Sequence, residues 1–102
     1  MIKHVVMWNL KDEALGRSRE ENAKIIKTKL KNLENEIDEL LSAEVGINIA
    51  DDEQACDVVL LSKFDSLDNL KSYAGHKKHL EAAKFIGSVA ADRKVVDYNS
   101  DR

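Results

Sequence analysis

Apolar and polar positions along this 102-residue chain follow two rhythms, one of period two and one of three to four. Over residues 2–10, IKHVVMWNL, period-two alternation puts His4, Val6, Trp8 and Leu10 on one face and Val5 and Met7 on the other. This predicts a β-strand closed by Lys11-Asp12-Glu13. Both faces carry apolar groups, so the strand is expected to be covered on both sides. Ser18 followed by Glu21 forms a capping box, the pairing that satisfies free backbone N–H groups where a helix begins. Ala23, Ile26, Leu30, Leu33, Ile37 and Leu40 then recur in steps of three and four. That is one apolar stripe on a helix of about 22 residues. A coiled coil is the competing reading, but about three heptads with no continuing zipper favour packing onto a sheet.

Period two returns at residues 43–50, AEVGINIA, with Val45, Ile47 and Ile49 opposed to Glu44 and Asn48, before the acidic turn Asp51-Asp52-Glu53. Residues 56–64, CDVVLLSKF, are nearly continuous in apolar character and predict a central strand. Ser66 is placed to cap a second helix that starts at Leu67 and turns Leu67, Leu70 and Tyr73 to one side. Gly75 interrupts this helix and is expected to end it in the left-handed conformation. The helical pattern resumes through Leu80, Ala83, Ile86, Gly87 and Ala90. Residues 93–99, RKVVDYN, predict the last strand, and Ser100-Asp101-Arg102 a frayed tail.

The order β-α-β-β-α-β predicts a single ferredoxin-like α+β domain over residues 1–102, a four-stranded antiparallel sheet with both helices on one face. The other sheet face then lacks cover. A bare apolar sheet calls for a partner, and the expected one is a second copy, a homodimer whose two sheets close into a barrel.

Composition narrows the function classes. With 43% hydrophobic and 34% charged residues the chain has the makings of a core, which excludes a disordered tail. The net charge of −3 argues against a nucleic-acid binder that works by neutralising phosphates, and Lys77, Lys78 and Lys84 read as a solvated helix face. The single cysteine, Cys56, precedes an apolar run and reads as a strand residue, not a reactive thiol. No apolar run approaches the roughly 18 residues of a membrane span, and MIKHVV has no signal-peptide pattern, so a cytoplasmic protein without membrane association is expected.

Candidate chemistry gathers in residues 72–83, SYAGHKKHLEAA, which hold Tyr73 and two of the three histidines, His76 and His79. A base that removes a proton beside a carbonyl needs a neutral imidazole and a donor for the developing oxyanion. If His76 to His79 form the first turn of a helix, the helix dipole and the neighbouring Lys77 and Lys78 both disfavour imidazolium. Tyr73 is spaced to supply the donor, and His4, Val6 and Trp8 can line the same cleft if their face meets the helices. The structural reading is that these polar groups merely cap free backbone groups at a helix junction, His76 most of all. A metal centre is not expected. His76 and His79 lie three apart across a glycine, without the i,i+4 spacing of a zinc helix or a carboxylate at ligand distance.

Taken together, MIKHVVMWNLKDEA, DVVLLSKFDSLDNLKSY, the Tyr73-xx-His76-xx-His79 element and VVDY resemble the stress-responsive A/B barrel (Dabb) family of dimeric α/β-barrel proteins over almost the whole chain. The resemblance implies a ferredoxin-like dimer with a shared barrel; separately, no cofactor is expected. The family commonly has proline after the first histidine of the element, where this chain has Lys77. Its activities are uneven: some plant members are stress-induced proteins, and one type is a polyketide cyclase acting on a linear tetraketide. In that cyclase a tyrosine and a histidine matching Tyr73 and His79 act together, and a strand histidine matches His4. The cyclase carries aromatic residues early in its first long helix, where this chain has Ala23, Lys24 and Ile25, so a tetraketide is not implied.

Three readings follow. The first is a cofactor-independent enzyme or binder of a small carbonyl or aromatic compound, with His79 as base, Tyr73 as donor, and His4, Val6, Trp8 and His76 as binding residues. The second is a non-catalytic dimeric stress-associated protein. The third is a monooxygenase of the same architecture, cofactor-independent or haem-linked, for which Trp8 lies on the wrong element of the haem-degrading pattern.

Overall fold

The computed structural model describes residues 1–101. Strand β1 (Ile2–Leu10) is followed by a two-residue hairpin, β2 (Glu13–Ala14) and β3 (Arg17–Ser18), and then by helix α1 (Arg19–Glu36). Strands β4 (Ser42–Ile47) and β5 (Val58–Phe64), helices α2 (Leu67–Gly75) and α3 (Lys77–Val89), and strand β6 (Ala90–Asn99) complete the order. The four long strands form one sheet in the order β4-β5-β1-β6, every neighbouring pair antiparallel. This is the ferredoxin-like arrangement that the alternating patterns predict.

The registers settle which sheet face is covered. His4, Val6 and Trp8 share their face with Ser62, Leu60 and Val58 of β5, and all six are buried beneath the helices. The opposite face presents Val5, Met7, Val59, Leu61, Val96 and Tyr98 with no helix over it. Helix α1 lays Ala23, Ile26, Leu30 and Leu33 onto the covered face, and the capping box closes as expected, Glu21 N–H to Ser18 Oγ at 3.2 Å and Ser18 N–H to Glu21 Oε1 at 3.1 Å. The stripe thus packs on a sheet and not in a coiled coil. Ser66 Oγ likewise accepts from Asn69 N–H at 3.1 Å to start α2.

Several local expectations are corrected. Helix α1 has 18 residues, shorter than its apolar stripe. Ile37 and Leu40 continue the stripe from the turn beyond the helix, and both remain buried. The hairpin after β1 was not foreseen. Its loop, Leu15-Gly16, has positive φ at both residues (54° and 74°), the requirement of a type I′ turn that twists with its strands. Gly75 is not a left-handed cap: among the described residues the positive-φ ones are Leu15 and Gly16, and Gly75 is the last residue of α2. The break falls on His76, which adopts an extended conformation between two helices (φ −68°, ψ 139°). Leu67 and Leu80 are exposed, so the buried face of α3 is Ala82, Ile86 and Val89. Strand β6 starts at Ala90, directly out of α3 and three residues before the predicted start at Arg93. Ser100 and Asp101 are tied to Met1, the Ser100 N–H to Met1 O at 3.0 Å and the amino group to Asp101 Oδ2 at 2.9 Å; Arg102 lies outside the described residues.

Candidate active site

Two elements carry the site. On β1, the alternation that buries Val6 and Trp8 also buries His4 beneath α2 and α3. At the α2–α3 junction, Tyr73 points into the core and is 1% exposed, while His79, in the first turn of α3, is half-buried. The rings meet as a cluster: Tyr73 and His79 centroids are 4.5 Å apart, Tyr73 and Phe64 5.0 Å, and His4 lies 6.4 Å from both Tyr73 and Phe64.

A cavity of about 590 Å³ opens onto this cluster. His4, Tyr73 and His79 line it together with Val6 and Trp8 of β1, Leu30 of α1, Leu60 of β5 and Ile86 of α3. The rim runs from Ala83 and Gly87 across Ala90 to Arg93. A bulge makes that rim. The β1–β6 register shifts at Asn9/Leu10, which pair with Asp92 and Ala90, leaving Ala91 without an opposite residue.

Hydrogen bonds fix the histidines in different states of use. His79 Nδ1–H donates to the Ala74 carbonyl at 2.9 Å, so the tautomer is set and Nε2 keeps its lone pair for a ligand. Burial is the main cause that holds the His79 pKa below its ordinary 6.5; the Ala74 bond opposes it, and the charges of His4, Arg93 and His76 add to the lowering. The neutral imidazole that the sequence predicts is therefore favoured, but by burial, not by Lys77 and Lys78. Lys78 Nζ instead faces Glu36 at 3.9 Å. His4 Nδ1–H donates to the Asp97 carboxylate, which β6 places directly opposite it. Burial pushes the Tyr73 phenol up to about 12, so it is a protonated donor at neutral pH; its hydroxyl bonds no other described residue and opens onto the cavity.

Of the residues singled out from sequence, His4, Val6, Trp8, Tyr73 and His79 converge on one cavity. His76 does not line it. Its Nδ1 accepts from Lys78 N–H at 3.0 Å, making it the N-cap of α3. Asp97 and Arg93 were missed as partners of the site. Both lie in the predicted last strand, but their place is set by pairing with β1, which no local pattern encodes. Among the described residues no three His, Cys, Asp or Glu side chains converge to hold a metal ion.

Residues 2–100 match the family described as the stress responsive A/B barrel domain (Dabb). None of the curated proteins is similar enough to count as a match. Among solved structures, a dimeric ferredoxin-like protein of unknown function from Bacteroides fragilis is 29% identical with a TM-score of 0.77, the alignment covering 96% of this chain and 94% of that one. An Arabidopsis thaliana protein is 26% identical, TM-score 0.79, over 97% and 94% of the two chains. A hydroxynitrile lyase from Passiflora edulis is 20% identical, TM-score 0.81, over 97% and 94%, and shares the fold.

Proposed function

The chain belongs to the stress responsive A/B barrel (Dabb) domain family, and within that family we propose that it transforms a small carbonyl or aromatic compound without a cofactor, His79 acting as base and Tyr73 as donor. The observation that carries this reading is the 590 Å³ cavity reaching both side chains, His79 with Nε2 free and Tyr73 with an uncommitted hydroxyl. The reading of the junction as purely structural expects no such cavity.

The chemistry is an enolisation. His79 Nε2 takes a proton from the carbon next to a carbonyl, the C–H electron pair becomes the new C=C bond, and the carbonyl π pair moves onto the oxygen. The Tyr73 hydroxyl donates to the enolate that forms, at the protein-enclosed end where a hydrogen bond to developing charge counts most. The imidazolium then returns the proton. Within the same reading, His4, Val6 and Trp8 shape the space, and the Asp97 carboxylate holds the His4 ring in place. The test is deuterium exchange at the carbon beside the carbonyl of small ketones and oxo acids in D2O, followed by proton NMR. Exchange that depends on the protein and falls by about 10²–10⁴ in His79→Gln supports the reading. Exchange no faster than buffer across the panel overturns it.

A homodimer belongs to the same proposal. The uncovered face displays Val5, Leu61, Val96 and Tyr98 in a row of paired strands, Val96 at 53% and Tyr98 at 44% exposure. An apolar sheet of that kind is stable in water when paired, and the Bacteroides neighbour is described as dimeric. Light scattering at micromolar concentration giving twice the 11.5 kDa chain mass supports it, and a monomer sinks it.

A further inference from the structure

We propose that the ligand of this cavity bears a carboxylate, and that Arg93 on the rim binds it while the reacting carbonyl lies against Tyr73 and His79. The inference rests on the reading of the cavity as a site of carbonyl chemistry and adds the substrate class.

Arg93 sits opposite Trp8 in the β1–β6 pairing, and its side chain lines the mouth of the cavity. Among the described residues it is the one lysine or arginine in that lining. Its guanidinium has no ion pair or hydrogen bond there; only its backbone N–H is engaged, by Asp92 Oδ1 at 2.9 Å. The acid beside it does not cancel its charge. Asp92 also lines the mouth, but Lys94 Nζ holds its carboxylate at 2.8 Å. With Tyr73 protonated and His79 biased toward the neutral form, the cavity is left with an unspent cation over apolar walls. A cleft with low-dielectric apolar walls focuses such a charge better than open surface does.

The charge reaches the reacting end, since Arg93 contributes to the lowered pKa of His79. An anion bound at Arg93 would offset that effect and leave His79 a stronger base once substrate is in place. The dimensions fit a short molecule. Trp8 and His4 are four residues apart on β1, about 13 Å along the strand, and the long arginine side chain closes part of that gap. A carboxylate matches the arrangement better than a phosphate. One planar guanidinium pairs a carboxylate in bidentate fashion, whereas the chain has no Gly-rich loop to supply the backbone N–H groups a phosphate calls for.

The test uses the full chain and a panel of aromatic and branched aliphatic 2-oxo acids, each paired with its own carboxamide. Binding is read from the fluorescence of Trp8, the single tryptophan, which lines the cavity. The acids are expected to bind about tenfold or more tightly than the amides. The ratio should fall to near one in Arg93→Gln and recover in part in Arg93→Lys. Arg93 is exposed and its side chain bonds no other described residue, so an unchanged melting temperature is expected for both variants. Acid and amide binding equally to the unaltered protein would overturn the inference while leaving the cavity reading intact. Discrimination that survives Arg93→Gln would overturn the assignment to this residue. No change in Trp8 emission with any member of the panel would overturn both readings.

Discussion

Tyr73→Phe separates a catalytic tyrosine from a structural one, because it deletes a single hydroxyl and keeps the ring. The ring is a core residue, 1% exposed and stacked among Phe64, His79 and His4. Truncating it to alanine would cost about 3–5 kcal/mol, a large part of the 5–15 kcal/mol that holds a typical domain together. Phenylalanine leaves that packing in place. A protein hydrogen bond contributes about 0.5–1.5 kcal/mol net, and the Tyr73 hydroxyl makes none among the described residues. The expected stability change is therefore within about 0.5 kcal/mol, or roughly 2–4 °C in melting temperature for a domain of this size. Catalysis should respond on another scale. Loss of one donor to an oxyanion costs about 2.7–4 kcal/mol of transition-state stabilisation, a fall in exchange rate of about 10²–10³.

Two measurements on the same variant decide the matter, thermal unfolding by circular dichroism and carbon-bound deuterium exchange by NMR. A melting temperature near that of the parent with a collapsed exchange rate is the expected result. Exchange within twofold of the parent would refute the donor role of Tyr73. A loss of more than about 8 °C would refute the geometric premise, since it would mean that the hydroxyl is tied into the fold.

The pH dependence of His79 has a definite sign. Its folded pKa lies below 6.5, so between that value and 6.5 the unfolded chain binds more protons than the folded one. Stability conferred by neutral His79 is fully present above 6.5 and falls as pH drops through that window; urea titrations should show a flatter profile there in His79→Gln. Asp97→Ala leaves the buried His4 Nδ1–H without its acceptor. The cost should lie toward the low end of about 1–3 kcal/mol, because water can reach a partly exposed Asp97 site, and chemical denaturation measures it. Leu15→Asn relieves a bulky residue of its positive φ and creates the Asn-Gly pair that type I′ turns favour; a gain of about 0.5–1 kcal/mol is expected in the same assay. Val96→Asp plants a charge in the middle of the uncovered sheet face and should shift the mass seen by light scattering from twice the chain to the single chain, while His79-dependent proton exchange reports whether the cavity survives in the monomer.

What the sequence made legible and what it withheld divide along the range of the interactions. The strands, the capping box at Ser18 and Glu21 and the break near Gly75 are written in neighbours within four residues of one another, and each reappears in the fold. The stripe through Ile37 and Leu40 misled about the helix end because burial, not helicity, is what the apolar period records: both residues reach the core from a turn. The local pattern points to glycine for the break, yet a histidine carries it, since His76 can cap α3 through its own ring nitrogen and needs no left-handed residue beside it. The hairpin escaped notice because Leu15 is a poor residue for a positive φ, so no turn signal announced it. The site shows the same division more sharply. Tyr73 and His79 stand out locally, but the tautomer of His79 depends on Ala74 five residues back across the helix break. The partner of His4 and the cation at the cavity mouth depend on β6 pairing with β1 over more than 80 residues of chain, as His4 with Asp97 and Trp8 with Arg93. A one-residue slip of that register would turn Asp97 and Arg93 to the opposite sheet face and strip the cavity of both. The bulge at Ala91 shifts that register between Asp92 and Ala90, so the pairing that places Arg93 and Asp97 begins just beyond it.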